Sequence, residues 1–486
     1  MSVSTSSARA LRRVLPFRSV VSTSTGLAYA AISLLACVQL AAFLAGDSAW
    51  IALLVAGGLA VLAAFCFSEL NALYPSAAAI RQYIRAAFGE RASLTIAFGY
   101  VVTIVAVIAA DSYVVGSAIS FVFPQTPTLL WIVVILGLAV AANLLGIRMA
   151  GLLQDISTYT LLVSLAAISL LALAHGGFHL HTPFAALQTP GNLFNAVAVG
   201  VFVFSAFEWV TPLAEEISDT TQIPRGMFFS LGLLFISYAL FTVACTNLVG
   251  IDALCQHIGA PNQTCSAVPQ MLLGQALGPV GSVMSQIGIY WMLAATLLTG
   301  VMTFNGGFAT ASRFLYAAAR EATLPEVFAR LSVRLVPWVT VVTLAVASGV
   351  IAVVIAYTKE YNTLILVGAV LEAAIYAVAG FCVIRLRVRQ PDAARSFRIP
   401  FGWMIPLLTV AIFAALGIAA AVVPTPLPLA ITLVIFAASF AYVWLEVPRL
   451  KAAAEAKRRA VGTRRPRRPA LQSESAQTEA PAQTQE

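Results

Sequence analysis

Asn192 to Arg225 reads NLFNAVAVGVFVFSAFEWVTPLAEEISDTTQIPR. It opens as an apolar helix long enough to pass the middle of a bilayer. It then meets Ser205, Glu208, Thr211 and Pro212 where a plain spanning helix would stay apolar. A carboxylate beside a helix break at membrane depth is costly unless function requires it. Broken helices near the midplane are how many secondary transporters build a substrate site. The stretch is therefore read as the working part of a transporter.

The rest of the chain agrees with a membrane setting. Its 486 residues are 60% hydrophobic and 10% charged, with mean hydropathy +0.91, whereas a soluble domain carries about 25% charged residues. Apolar runs of about 20 residues, the length of an α-helical span, recur along it. An outer-membrane barrel would show alternating segments of about ten residues instead. The expected fold is an all-α integral membrane protein with about twelve transmembrane helices. The expected spans are 22–45, 49–73, 94–122, 128–147, 152–174, 194–214, 225–250, 281–312, 336–357, 362–385, 402–423 and 426–446. Residues 1–21 are expected to form an N-terminal tail and 22–446 the transmembrane domain. Residues 447–486, basic and then polar, are expected to be a disordered tail.

Charge supplies the orientation. With these spans, 27 of the 28 Lys and Arg residues fall on one side of the membrane and only Lys359 on the other. The positive-inside rule makes that side cytoplasmic. A multi-pass protein of the cell membrane with both termini cytoplasmic follows. The net charge of +8 is thus a topology signal facing anionic lipid headgroups, and no nucleic-acid partner is expected.

Three acids lie deep in spans: Asp111, Glu208 and Glu372. No Lys or Arg lies comparably deep. Each acid must be neutral and hydrogen-bonded to a neighbouring helix, or paired with a substrate ammonium, a metal cation or a proton in transit. Trp291 lies in the outer half of span eight, where an aromatic face either stacks on a cation or forms an interfacial belt. Glu69 is expected to anchor the inner loop. Glu215, Glu216 and Asp219 near Arg225 fit either an inner ion-pair gate or a solvated charge cluster. His175, His179 and His181 crowd one outer loop but match no zinc-ligand spacing, so no metal site is assigned. No nucleophile–base pair or phosphate loop stands out, which argues against an enzyme. Cys255 and Cys265, ten residues apart in an outer loop, permit a disulfide.

Three motifs point to one family. FSELNALYPSAAAIRQYIRAAFG at 67–89, FVFSAFEWVTPLAEEISDTTQIPRG at 202–226 and NGGFATASRFLYAAAREATLPEVFAR at 305–330 resemble, in order, the second span, sixth span and eighth span with its following loop of amino acid–polyamine–organocation permeases. The resemblance extends over about residues 22 to 446. It implies a five-plus-five inverted repeat with spans one and six broken, plus two further spans. It also implies alternating-access transport of an amino acid or related amine, with polyamine or diamine transport or exchange as the alternative. Carried over, the sixth-span substrate contacts fall on Phe202, Phe204, Ser205, Ala206 and Glu208, with Asp111 and Trp291 near further contact positions. Glu208 and Glu372 are the expected coupling or gating acids. No cofactor is expected beyond a coupled H+ or Na+. One departure stands out. The family usually carries G-S-G-I-F at the first break, whereas this chain has Ala30-Ala31-Ile32-Ser33 there, or Thr23-Ser24-Thr25-Gly26 earlier in the span. That weakens an α-amino acid assignment and leaves room for an amine without a carboxylate.

Overall fold

A computed structural model describes residues 13–44, 49–76, 78–145, 147–177, 190–258, 263–422 and 426–463. The chain is a helical bundle. In order, its helices are α1 (Phe17–Ala28), α2 (Ala31–Phe43), α3 (Ala49–Leu73), α4 (Ala79–Phe88), α5 (Glu90–Val122), α6 (Thr128–Leu144), α7 (Ile147–Gly176) and α8 (Pro190–Phe204). They continue as α9 (Gln222–Ala244), α10 (Ile251–Leu254), α11 (Pro269–Gln275), α12 (Val283–Arg320), α13 (Trp338–Thr358), α14 (Tyr361–Arg389), α15 (Met404–Val422) and α16 (Leu427–Thr463). Among the described residues, ten helices are long and apolar enough to cross a membrane. The bent pair α1–α2 raises this to eleven, and α6 is a shorter apolar helix. Large apolar side chains such as Val133, Leu138 and Val163 point outward, 66–71% exposed. On a multi-pass membrane protein that surface faces lipid.

Of the two expected breaks, the first is a sharp bend and the second a local change of helix type within a continuous span, Gly191–Leu213. α1 and α2 meet at 54°, with Tyr29 at φ −85°, ψ 46° and Ala30 at φ −75°, ψ 154°. Both φ values are negative, so the break needs no glycine. Of the two candidate positions, the one at Ala30 is used, and Thr23–Gly26 lies inside α1. The second break follows α8. Ala206 adopts a left-handed conformation, φ 75°, which is costly for a residue with a Cβ. A 3-10 turn, Phe207–Leu213, then carries the chain onward. The two broken segments meet where Ser24 Oγ donates to the Phe207 carbonyl, 2.6 Å.

Close helix approaches fix this centre. A Cβ on Gly306 would meet Leu27 of α1 at 2.6 Å, and one on Gly307 would meet Ile108 of α5 at 2.8 Å. The Gly-Gly pair on α12 therefore lets α1 and α5 lie against it. α1 is also seated on α7. Asp155 accepts from Ser19 Oγ (2.9 Å) and from Ser22 Oγ, and pairs with Arg18.

The basic residues gather at one end. Arg81 and Arg85 pair with Glu321. Arg385 and Arg389 donate to the Ala87 carbonyl at the end of α4, 2.9 Å each. Glu69 is held there by Arg387 (Nε to Oε1, 2.8 Å), by Arg395 (3.4 Å) and by the Ile399 amide (2.9 Å), the anchoring role expected of it. At the opposite end the Cys255–Cys265 disulfide is formed across a two-stranded hairpin. Tyr361 donates to the Cys265 carbonyl (2.7 Å) and stacks on Tyr113.

Two boundaries differ from expectation. The first helix begins at Phe17, ahead of residue 22, with Ser19, Val20 and Val21 buried. Val447–Thr463 continues α16 instead of being disordered. Its KAAAEAK stretch is made of strong helix formers, and Lys451 and Lys457 tie it to Glu90 and Glu326, 2.6 Å each. The rest of the tail, His179, His181 and residues 1–12 lie outside the described residues.

Candidate functional site

Two buried acidic centres flank the paired breaks. The first is at the α1–α2 break. Asp111, on α5 and 0% exposed, accepts the Ile32 amide at Oδ1, 3.0 Å. Ile32 is in the first turn of α2, where backbone N–H groups lack intrahelical partners and the helix dipole favours negative charge. Asp111 Oδ2 and Thr303 Oγ1 of α12 lie beside one another, and the hydroxyl acts on the carboxyl, although neither atom makes a hydrogen bond of good geometry among the described residues. On the other side of the break, the Ala28 carbonyl ending α1 accepts from Tyr238 (2.6 Å) and from Ser33 Oγ (2.9 Å).

The second centre is at the span-six break. Glu208 is in the first turn of the 3-10 segment, and its Oε2 accepts from Tyr376, 2.9 Å. Glu208 Oε1, both Glu372 oxygens and Trp209 Nε1 make no hydrogen bond of good geometry among the described residues, although the indole N–H lies near enough to act on both carboxyls. Glu208 and Glu372 lie close enough to act on one another electrostatically. Tyr100 packs edge-on against Trp209, and Tyr376 is enclosed by Phe67, Phe207 and Phe413. Thr310 Oγ1 holds the Trp209 carbonyl, 2.9 Å. All these groups are buried, and none of the three acids forms an ion pair among the described residues.

The centres are separate. Tyr100 and Asp111 are eleven residues apart on α5, about 16 Å at the helical rise. Tyr100 is nearer Glu90 and the basic end, and Asp111 is nearer Tyr113 and the opposite end.

The remaining expected residues divide by location. Ser205 Oγ turns back to the Phe202 carbonyl, 2.7 Å, and Ala206 is the left-handed residue of the break. Phe204 packs edge-on against Tyr238 and over Gly57. Phe202 packs over Gly368 of α14. Trp291 is not brought to Asp111. It is twelve residues from Thr303 on α12, about 18 Å along the helix, and its indole N–H donates to Ser164 Oγ on α7. The inner acids are also differently paired. Glu216, rather than facing Arg225, lies buried against Arg313 at 3.5 Å, and its backbone carbonyl takes the amides of Val14 and Leu15. Asp219 is exposed, and the hydroxyl and amide of Thr221 hold its carboxyl below the usual range. No group of three or more potential metal ligands occurs among the described residues.

Thr303, Tyr238, Trp209 and Tyr376 were not singled out in the sequence. Tyr376 had a usable signal, because it follows Glu372 by four residues and shares its helix face.

The family model described as Amino acid permease matches residues 15–445, nearly the whole described bundle. The chain belongs to the amino acid permease family. The human "Asc-type amino acid transporter 1" is 27% identical over 362 residues, 71% of this chain and 65% of that protein. The human "Large neutral amino acids transporter small subunit 2" is 27% identical over 364 residues, 71% and 64% respectively. The chain thus spans less than two thirds of these relatives' length. Among solved structures, a Na+-coupled sialic acid symporter in a substrate-bound outward-open state matches with TM-score 0.52 at 13% identity. The match covers 84% of this permease and 90% of that chain, and at that identity the likeness is one of fold.

Proposed function

We propose that this permease is a secondary active transporter that moves amino acids or related amines across the cell membrane by alternating access. The observation that carries the reading is the apposition of the bent first span and the 3-10 turn of the sixth, each with a buried acid beside it. Broken half-helices at the midplane supply oriented backbone groups to a substrate and move as units. The relatives' names, which describe amino acid transporters, support the same substrate range. The concentration of Arg and Lys at one end supports a cytoplasmic location for that end, and with it for the residues before α1 and after α16.

Asp111 is proposed as the substrate acid and the Glu208–Glu372 pair as the coupling acids. A carboxylate pair with no cation beside it is stabilised by a shared proton or a bound cation. Tyr376 and Trp209 bring an O–H and an N–H to that pair, which suits proton sharing better than a cation's oxygen shell. Proton coupling is therefore favoured over Na+ coupling. A polyamine or diamine transporter or exchanger in the same fold is the second reading, favoured by a buried Asp111 with no ion-pair partner among the described residues. A membrane-embedded enzyme or a channel is disfavoured, since a paired break with buried acids serves neither.

The test is uptake of labelled amino acids and amines into proteoliposomes containing the full chain. Saturable uptake, accelerated by unlabelled substrate inside, is expected. Uptake that is linear with concentration and indifferent to internal substrate would remove the transporter reading.

A further inference from the structure

The basic end of the bundle holds a groove that has no part in the transport reading above. It lies between the last turn of α4 and the final turns of α14, has a volume of about 230 Å³, and is lined by Phe88, Phe381, Ile384, Arg385, Val388 and Arg389. The five α14 residues follow the i, i+3, i+4, i+7, i+8 spacing of one helix face. The hydrophobic stretch of this span ends at Arg385, so the groove straddles the level where acyl chains give way to headgroups. We propose that it binds one anionic phospholipid, with the phosphate on Arg385 and Arg389 and an acyl chain along Phe381.

The two arginines are held in place. Arg385 Nε and a terminal nitrogen of Arg389 both donate to the Ala87 carbonyl, 2.9 Å each. That carbonyl is in the last turn of α4, where it lacks an intrahelical partner, and one donor would satisfy it. Two guanidinium groups converge on it instead, which brings like charges together. Neither arginine forms an ion pair among the described residues, and Glu90, just beyond Phe88, is taken by Lys451. A guanidinium has five N–H donors, so most donors of both side chains remain for an anion, and both side chains are exposed. Phosphate oxygens match the guanidinium fork. The other half of the groove is apolar. Phe88 and Phe381 are exposed, the Arg385 guanidinium lies 5.6 Å over the Phe88 ring, and Phe381 is eight residues before Arg389, about 12 Å nearer the bilayer centre. A free phosphate would use the arginines alone, and a neutral apolar ligand the aromatic rings alone, whereas a phospholipid uses both. Arginines that only snorkel to the interface would reach for water and would not turn back together onto α4. Basic pockets between spans at this level recognise anionic headgroups, and the groove localises at one place what the basic end otherwise offers diffusely.

The experiment titrates the purified full chain in detergent with dioleoylphosphatidylglycerol, dioleoylphosphatidylcholine or glycerol 3-phosphate, and counts retained molecules by native mass spectrometry. The wild type should retain one phosphatidylglycerol at a concentration at least tenfold below that needed for phosphatidylcholine, and should retain no glycerol 3-phosphate in that range. Arg385→Gln combined with Arg389→Gln should weaken phosphatidylglycerol at least tenfold, to the level of phosphatidylcholine. Should that variant fail to fold, Val388→Glu serves instead: the position is exposed, and a carboxylate there occupies the arginines, with the same loss expected. Arg449→Gln, an exposed change elsewhere at the basic end, should leave retention within about twofold of wild type. Equal retention of the two lipids by the wild type, unchanged phosphatidylglycerol retention in a folded groove variant, or an equal loss in Arg449→Gln would each overturn the proposal. Glycerol 3-phosphate bound as tightly as the lipid would also overturn it, since the site would then take a free phosphate.

Discussion

Asp111 and the Glu208–Glu372 pair are alike in depth and burial, and they differ in what answers their charge. Asp111 is tethered through one oxygen to a helix terminus, with the other beside the Thr303 hydroxyl. Glu208 and Glu372 lie close enough to act on one another, with a phenol on Glu208 and an indole N–H nearby. The first arrangement presents a fixed, directional acceptor to something that enters. The second holds two carboxylates that are comfortable only when a proton or cation is shared between them. Placement agrees with this division: the pair lies toward the basic end of the bundle and Asp111 toward the disulfide end. A transporter needs a group that recognises cargo and a group whose charge changes during the cycle, and a single acid serves both poorly.

Glu69 sharpens the contrast, because it is a buried acid fully answered by protein. Two arginines and a backbone amide neutralise it. Glu69→Ala leaves Arg387 buried and unpaired, and the expected cost is about 3–5 kcal/mol of stability, seen as a large fall in melting temperature. If Glu69→Ala melts like wild type but loses turnover, the line between structural and functional acids is drawn in the wrong place. Next in size is Glu372→Gln, which removes one member of the pair. Gradient-driven uptake should fall about tenfold, roughly 1.4 kcal/mol in the barrier, while amine affinity measured by thermal shift stays within about twofold. A change in affinity as large as the change in rate would merge the two centres into one. Tyr376→Phe deletes a single hydrogen bond to Glu208. A net loss of about 0.5–1.5 kcal/mol should slow gradient-driven uptake two- to tenfold in a flux assay, with binding unmoved. Smallest is Trp291→Phe, expected to shift amine affinity by less than about twofold in the same thermal-shift titration, since its partner is Ser164 and any cation–π gain at Asp111 is out of reach.

The bundle was legible because bilayer length, apolar runs and the one-sided placement of Arg and Lys constrain a membrane chain strongly. The three deep acids were legible for the same reason, since a carboxylate in an apolar run is conspicuous. Their partners were less so. The break at Tyr29–Ala30 has no glycine to announce it, because both residues sit at ordinary negative φ. The contact of Asp111 with Ile32 joins positions 79 residues apart and has no signature in either stretch. Thr303 looks like any helical threonine until α12 is docked on α5. Trp291 is associated with Asp111 by residue type and by the family's pattern of contact positions, and the length of α12 separates them. The tail misread at Val447–Thr463 is a case where composition suggests solvation, while helix propensity and two ion pairs extend a helix.

The division of labour between the two centres is tested most directly by Glu208→Gln in proteoliposomes, with exchange and gradient-driven accumulation of one labelled substrate measured side by side. Exchange needs recognition and alternating access but no net change of charge, whereas accumulation needs both. Glu208→Gln is expected to exchange substrate at a rate within about threefold of wild type while accumulation driven by a proton gradient falls at least about a hundredfold, close to 3 kcal/mol. A variant that accumulates substrate as the wild type does, or one that loses binding and exchange together with accumulation, would contradict it.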